Sequence, residues 1–229
     1  MPQNTVILTG VSSGLGLALG RHLLDQGWHV IGVSRRESTD DLWRAAVDAG
    51  KATHILGDVA DEQTVAAAFE AATSAGTLTR VINCAGAGVF CNAGEASAEL
   101  VDAALHANLI GLILFSDAAF AAMQSAGGQI VNIMSTSAHT PRAEETLYCA
   151  AKFGARGYTE SLRVEAKQTP VDVIAVYPGG METPFWRDAV GTDRAGTGFM
   201  DPAEVARTIL AALAAPQNAY TSDITINRK

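Results

Sequence analysis

The stretch from Thr5 to Gly16 constrains this 229-residue chain more than any other. Thr5-Val6-Ile7-Leu8-Thr9 is an unbroken β-favouring run, glycines follow at 10, 14 and 16, and a helical pattern begins near residue 14. Strand, glycine turn and helix, in that order, is the context in which such a turn has a physical use. Gly10, Gly14 and Gly16 permit a tight turn and let backbone approach a pyrophosphate, while the helix start offers unpaired N–H groups. A plain strand–helix turn, with glycines for geometry only, is the competing explanation.

The rest of the chain repeats this alternation. β-rich runs at Thr5–Thr9, His29–Ser34, Thr53–Leu56, Arg80–Cys84, Gln129–Met134, Val171–Tyr177 and Ala219–Ile226 are separated by alanine-rich helical segments. Those segments lie near 14–26, 40–50, 62–74, 98–125, 147–167 and 202–214. Val6-Ile7-Leu8 and Val30-Ile31 show no polar alternation, as expected of strands covered on both faces. Gly27 can end the first helix and Gly127-Gly128 the fourth. Asp201-Pro202-Ala203-Glu204 reads as an N-cap, a first-turn proline and an N3 glutamate. The expected architecture is α/β, a single doubly wound Rossmann-type domain over residues 1–229. Its seven-stranded, mostly parallel sheet would be flanked by helices on both faces.

Charge narrows the partners. A net charge of −8 and a pI near 5.0 oppose a polyanion-binding surface, so no nucleic-acid partner is expected. No run of about 18 uninterrupted apolar residues appears, so no membrane span is expected either. Met1-Pro2-Gln3-Asn4 lacks the basic start and apolar run of a signal peptide. Cys84, Cys91 and Cys149 are odd in number and lack metal-ligand spacing, so reduced thiols, no metal and a cytoplasmic location are the expectations.

Chemistry enters at Tyr148 and Lys152. Leu147-Tyr148-Cys149-Ala150-Ala151-Lys152 reads as helix, and a pair four residues apart shares one face. Bringing a phenol from a pKa near ~10 to roughly 7 requires about 4 kcal/mol. One ammonium about 4 Å away, at an effective dielectric of ~20, supplies on the order of 4 kcal/mol. A single well-placed lysine therefore suffices to make Tyr148 an acid–base group. Ser135 lies thirteen residues upstream and can donate a hydrogen bond to a carbonyl; Ser137 is its competitor.

Thr9-Gly10-Val11-Ser12-Ser13-Gly14-Leu15-Gly16, Asn83-Cys84-Ala85-Gly86, Asn108, Ser135 with Tyr148 and Lys152, and Pro178-Gly179-Gly180-Met181-Glu182-Thr183 occur in that order. From about Thr5 to Ile226 the chain thereby resembles the short-chain dehydrogenase/reductase family. The resemblance implies an oxidoreductase that moves hydride between a nicotinamide and a ketone, aldehyde or secondary alcohol. It assigns Ser135, Tyr148, Lys152 and Asn108 to catalysis, with Asn108 holding a water that links the lysine to solvent. A helix-packing hydrogen bond is the other use for Asn108, whose mid-helix place is unfavourable by propensity.

The implied cofactor site takes in Gly10, Ser12, Ser13, Gly14, Leu15 and Gly16, then Asp58-Val59 at the adenine, and Asn83, Ala85 and Gly86 along the crevice. Tyr148 and Lys152 contribute again, with Pro178, Gly179, Met181 and Thr183 at the nicotinamide. After the second strand stands Ser34-Arg35-Arg36, where a carboxylate would select NAD. Arginine forks grip phosphate, so NADP(H) is expected over NAD(H), with Arg35 the principal ligand and Ser12, Ser13 and Ser34 assisting. Two solvated arginines at a strand end are the alternative. Cys84 replaces a common second asparagine, Met134 a common serine, and Ser13 stands where many NADP-preferring relatives are basic.

Residues 184–200 mix glycines with Pro184, Phe185, Trp186 and Phe199, which reads as a flap over substrate or an ordinary surface loop. His139 reads as a loop histidine. The family implies a homodimer or homotetramer joined through the helices near 98–125 and 147–167. A nucleotide-sugar epimerase would need a larger carboxy-terminal part than the some fifty residues after Ile174 provide. A non-enzymatic NADP(H)-binding regulator or redox sensor remains the rival of another class.

Overall fold

A computed structural model describes residues 4–191, 198–214 and 218–229. Seven strands form one sheet: β1 (Asn4–Thr9), β2 (His29–Ser34), β3 (Ala52–Leu56), β4 (Thr77–Asn83), β5 (Gly128–Ile133), β6 (Val171–Pro178) and β7 (Asp223–Ile226). Their order is β3-β2-β1-β4-β5-β6-β7, and all six pairings are parallel, so the expected mostly parallel sheet is wholly parallel. Helices α1 (Gly14–Asp25), α2 (Asp41–Asp48), α3 (Glu62–Ala75), α4 (Ala98–Leu105), α5 (Gly111–Met123), α6 (Thr146–Glu165), α7 (Phe185–Val190) and α8 (Pro202–Leu213) complete it.

The uninterrupted apolar runs now have their reason. Val6 and Leu8 of β1 face α1 and α8, meeting Leu15, Leu19, Leu23, Ile209 and Leu213. Ile7, one residue off, points to the opposite layer with Phe115, Ala119 and Met123 of α5. Val30 against Ile31, Ile82 against Val81, and Val131 against Ile130 divide the same way. Both faces are covered, so a polar side chain along these strands is costly without a partner. That cost is borne at Thr5 and Thr79, whose buried hydroxyls have no hydrogen-bond partner among the described residues. Between β1 and β4 the strand order reverses direction, and that switch point opens a crevice at the carboxyl ends of the strands.

Helix punctuation follows expectation at several ends. Gly27 (φ +82°) stops α1, Gly127 (φ +88°) follows α5, and the Asp201 side chain accepts from the Ala203 N–H at 2.9 Å to cap α8. Elsewhere the structure departs from the sequence reading. The segment 98–125 is not one continuous α-helix, because residues His106–Ile110 form a π-helical turn between α4 and α5. Asn108 Nδ2 donates to the Ala104 carbonyl at 3.0 Å, supplying from a side chain what the α-helical ladder takes from a backbone N–H. The last strand is shorter than Ala219–Ile226, and within the supposed flap α7 is helical; residues 192–197 of that flap lie outside the described residues.

Ala98–Met123 is, by length and composition, long and apolar enough to cross a membrane, with a mean hydropathy of 1.6 in its best window. It contains no uninterrupted apolar run of that length, because isolated Asp102, His106, Asn108 and Asp117 break the run without lowering its average much. In this fold Phe115, Ala119 and Met123 of that segment are buried against the sheet.

Candidate active site

The crevice at the switch point is a cavity of about 440 Å³. Its floor is the glycine turn. Gly10 (φ +81°) and Gly14 (φ +56°) occupy the left-handed region, and a methyl group on Gly16 would collide with the Gly10 carbonyl. Ser13 precedes α1 without a side-chain cap bond, leaving the first-turn N–H groups to face a ligand. Thr9 holds the turn to the next strand end: its hydroxyl oxygen accepts from the Cys84 N–H at 2.9 Å and the Ala85 N–H at 3.0 Å. Gly16→Ala should therefore weaken dinucleotide binding at least tenfold and destabilise the fold by about 1–3 kcal/mol through overpacking. Fluorescence titration and urea melts read both.

Every residue assigned to cofactor contact lines this cavity except Asn83. Asn83 is buried below the floor, where its Nδ2 donates to Ser116 Oγ at 2.9 Å and Asn132 Oδ1 at 2.8 Å. As an even-spaced neighbour of Val81 it points into the layer beneath the sheet, whereas Ala85 and Gly86 have left the strand and reach the crevice. Ser34 lines the wall, but its hydroxyl donates to the Arg36 carbonyl at 2.7 Å and meets His54 Nε2 at 2.8 Å. It orders the turn that carries Arg35 and Arg36. Arg35 is exposed at the cavity edge; Arg36 forms a solvent-exposed ion pair with Asp188 of α7 at 3.6 Å. Asp58 Oδ1 accepts from the Ala60 N–H at 2.9 Å, and Val59 is buried against Gly111. At the far wall the Gly179 N–H donates to the Ile226 carbonyl at 2.8 Å, Trp186 Nε1 donates to the Met181 carbonyl at 3.2 Å, and the Thr183 methyl packs on Gly14.

Ser135, Tyr148, Lys152 and Asn108 open onto this same space. Ser135 is separated from the end of β5 by Met134, and its Oγ accepts from the Ser137 N–H at 3.1 Å, which leaves the hydroxyl hydrogen available. The competitor Ser137 is committed elsewhere, donating to Glu145 Oε2 at 3.1 Å. Tyr148 and Lys152 lie one turn apart on the buried face of α6, with Lys152 Nζ 5.6 Å from the Tyr148 ring centroid. Asn108 gives both amide hydrogens to carbonyls, at Ala87 (2.8 Å) and Ala104 (3.0 Å), and its Oδ1 accepts from the Ala87 N–H at 3.3 Å. It clamps the Gly86–Ala87 turn beside the lysine, so the packing bond anticipated as the alternative is present.

Burial dominates the electrostatics of the tyrosine and the lysine. Burial pushes the Tyr148 phenol well above its ordinary value; the Ser135 hydroxyl opposes this, and Arg142 opposes it more weakly. Burial draws the lysine down to about 8, with Cys84 acting the other way. The simple calculation credited a charge–charge attraction and omitted the cost of removing each group from water. Here desolvation is the larger effect for both.

Phe90, Arg142 and Glu145 escaped the sequence reading, whereas Phe185 and Trp186 belong to the segment read as a flap. Phe90 and Phe185 each meet the Tyr148 ring at 5.7 Å between centroids, and Trp186 stacks on both, forming an aromatic cover over the phenol. Arg142 and Glu145 reach the cavity from the loop before α6. Phe90, nearly a hundred residues before the flap segment, gave no sign in the sequence that it joins this cover. His139, read as a loop histidine, lies in the turn after Ala138, where its Nδ1 accepts from Arg156 Nη1 at 2.8 Å and its ring packs on Tyr177.

A parallel sheet with a glycine turn at its switch point and a Tyr–Lys–Ser group above it defines a nucleotide-binding α/β protein built for oxidoreduction. Residues 4–193 match the family model described as short chain dehydrogenase, and the chain belongs to that family. It is 31% identical over 216 residues to carbonyl reductase family member 4 of Danio rerio, covering 92% of this chain and 91% of that one. It is 33% identical to a short-chain dehydrogenase/reductase of Vibrio parahaemolyticus, with a TM-score of 0.84 over 98% of this chain and 96% of the other. An alcohol dehydrogenase of Thermococcus sibiricus, solved with 5-hydroxy-NADP, shares the fold at 22% identity, a TM-score of 0.86 and coverage of 98% and 96%. The protein is thus an oxidoreductase of a family that uses nicotinamide cofactors on CH–OH and C=O groups.

Proposed function

We propose that this protein reduces a ketone or aldehyde, or oxidises the matching secondary alcohol, with NADP(H) preferred over NAD(H). The observation that carries the reading is convergence: Ser135, Tyr148 and Lys152 face one cavity with the glycine turn and with Arg35 and Arg36. The crowded Gly16 and the uncapped start of α1 fit a pyrophosphate. Arg35 and Arg36 would hold the 2′-phosphate, Asp58 and Val59 the adenine, and Pro178, Gly179, Met181 and Thr183 the nicotinamide end.

The bound nicotinamide supplies or accepts the hydride. Tyr148 donates its phenolic proton to the carbonyl oxygen, and takes it back in the oxidation. Ser135 donates a hydrogen bond to that same oxygen, holding the carbonyl in line with the phenol. Lys152 stabilises the phenolate left behind and binds ribose hydroxyls. Because both amide hydrogens of Asn108 are already bonded, any water it holds for proton return is held through Oδ1 or the main chain. The aromatic cover of Phe90, Phe185 and Trp186 excludes solvent from the transfer.

Spectrophotometric NADPH oxidation with a panel of ketones and aldehydes tests the activity. Tight NADPH binding without turnover on any of them would favour a redox sensor instead. Arg35→Asp separately tests the cofactor preference. Loss of a charge-assisted phosphate contact is worth about 1.5–3 kcal/mol, so the NADP/NAD ratio of kcat/KM should fall by ~10–100-fold. An unchanged ratio would remove Arg35 from the phosphate site. Assembly as a homodimer or homotetramer accords with exposed Val101 on α4 and exposed Phe153 and Val164 on α6.

A further inference from the structure

Next to the candidate active site lies a groove whose chemistry the reductase reading leaves unused. It is an open cavity of about 540 Å³ that shares Thr136, Arg142, Gly179 and Gly180 with the main one. Arg142, Arg228 and Lys229 are its charged side chains, with the hydroxyls of Thr136 and Thr140 beside them; no carboxylate side chain lines it among the described residues. That bias runs against the composition, since the chain has 24 acidic residues to 16 Lys and Arg.

Among the described residues, neither arginine is committed to a carboxylate. Arg142 Nη2 donates to Thr136 Oγ1 at 3.1 Å, and the Arg228 guanidinium lies over the Phe199 ring, 4.6 Å from its centroid. Direction is set by chain neighbours. Ser135 faces the main cavity, whereas Thr136, the next residue, borders both. A molecule with its carbonyl at Ser135 and Tyr148 would extend past Thr136 into the groove.

We propose that Arg142 and Arg228 bind an anionic group of the substrate, so that the preferred carbonyl compound carries a carboxylate or phosphate a few bonds from its reacting carbon. The proposal rests on the reductase reading and adds the substrate class to it. Guanidinium forks match either oxyanion. Because the groove is open to water, the attraction is moderate and sensitive to salt.

The test compares levulinate and its homologues longer by one and two methylenes with their neutral amides and with keto-alcohol phosphates of similar length. The readouts are kcat/KM with NADPH and, independently of turnover, binding of each compound to the NADP+-loaded protein by ligand-observed NMR. An acid or phosphate is expected to exceed its amide by on the order of tenfold in kcat/KM and in binding. In Arg228→Gln and in Arg142→Gln that ratio should drop towards one, and it should fall with added salt. Which anion wins identifies the source. Equal values for acid and amide, or a preference that survives both substitutions, would overturn the anion site while leaving the reductase reading intact. Arginine-dependent anion binding without any turnover would do the reverse, keeping the site and rejecting the reductase.

Discussion

Tyr148→Phe is expected to lower kcat for carbonyl reduction by ~10²–10⁴-fold while NADPH affinity changes little, because general acid catalysis by a placed phenol has that magnitude. The ring is 8% exposed and lies between Phe90 and Phe185, so phenylalanine keeps the packing and removes only the hydroxyl. The pH dependence should change with it. Burial opposes the phenolate, so the hydroxyl stays protonated through neutral pH, as a proton donor requires. Stopped-flow NADPH oxidation, with binding followed separately by fluorescence, distinguishes lost chemistry from lost cofactor. A variant retaining most of its reduction rate would show that another group delivers the proton.

Lys152→Met should abolish turnover and, unusually for a buried polar position, stabilise the protein without cofactor. The lysine is 3% exposed, and burial draws it from 10.5 down to about 8. Between those two values the unfolded chain binds more protons than the folded one, so stability rises with pH across that window. Below about 8 the whole cost of burying the ammonium is present, on the order of 3 kcal/mol at about 1.4 kcal/mol per pKa unit. Methionine fills similar volume without that charge. Urea melts of the two proteins should differ by about that amount at pH 7 and converge as the pH approaches 10.5. Equal stability at pH 7 would mean that the lysine's charge is already neutralised in the fold. The cost resides where cofactor binding can recover it, since ribose hydroxyls would give the ammonium hydrogen-bond partners besides the Tyr148 ring that it already faces.

What was legible in the sequence was local or periodic. Val6-Ile7-Leu8 lacks polar alternation because Val6 and Leu8 fill one layer and Ile7 the other. Glycines 10, 14 and 16 announced a turn that only residues without a side chain can make, and the separation of Ser135, Tyr148 and Lys152 survived folding intact. What was not legible depended on neighbours distant in the chain. Asn83 looked like crevice lining by its place in a motif, yet strand parity turns it under the sheet. The π-helical turn arises from Asn108 meeting both Ala104 and Ala87, and the second partner belongs to another segment. Attraction between Tyr148 and Lys152 could be calculated from spacing, but their desolvation could not, because it is imposed by Phe90, Phe185 and the strands around them.

The amides under the floor have one more effect. Asn132 Oδ1 accepts from Asn83 and from Ser116, while its Nδ2 donates to Thr159 Oγ1 at 2.9 Å. Thr159 lies on α6, two turns beyond Lys152 on the same buried face. A one-residue slip between β4 and β5 would send these amides into opposite oily layers, and a rotation of α6 would strand Thr159 and Asn132 together. The lattice of small polar groups thus works as a key, indexing the azimuth at which the helix presents its phenol and its amine.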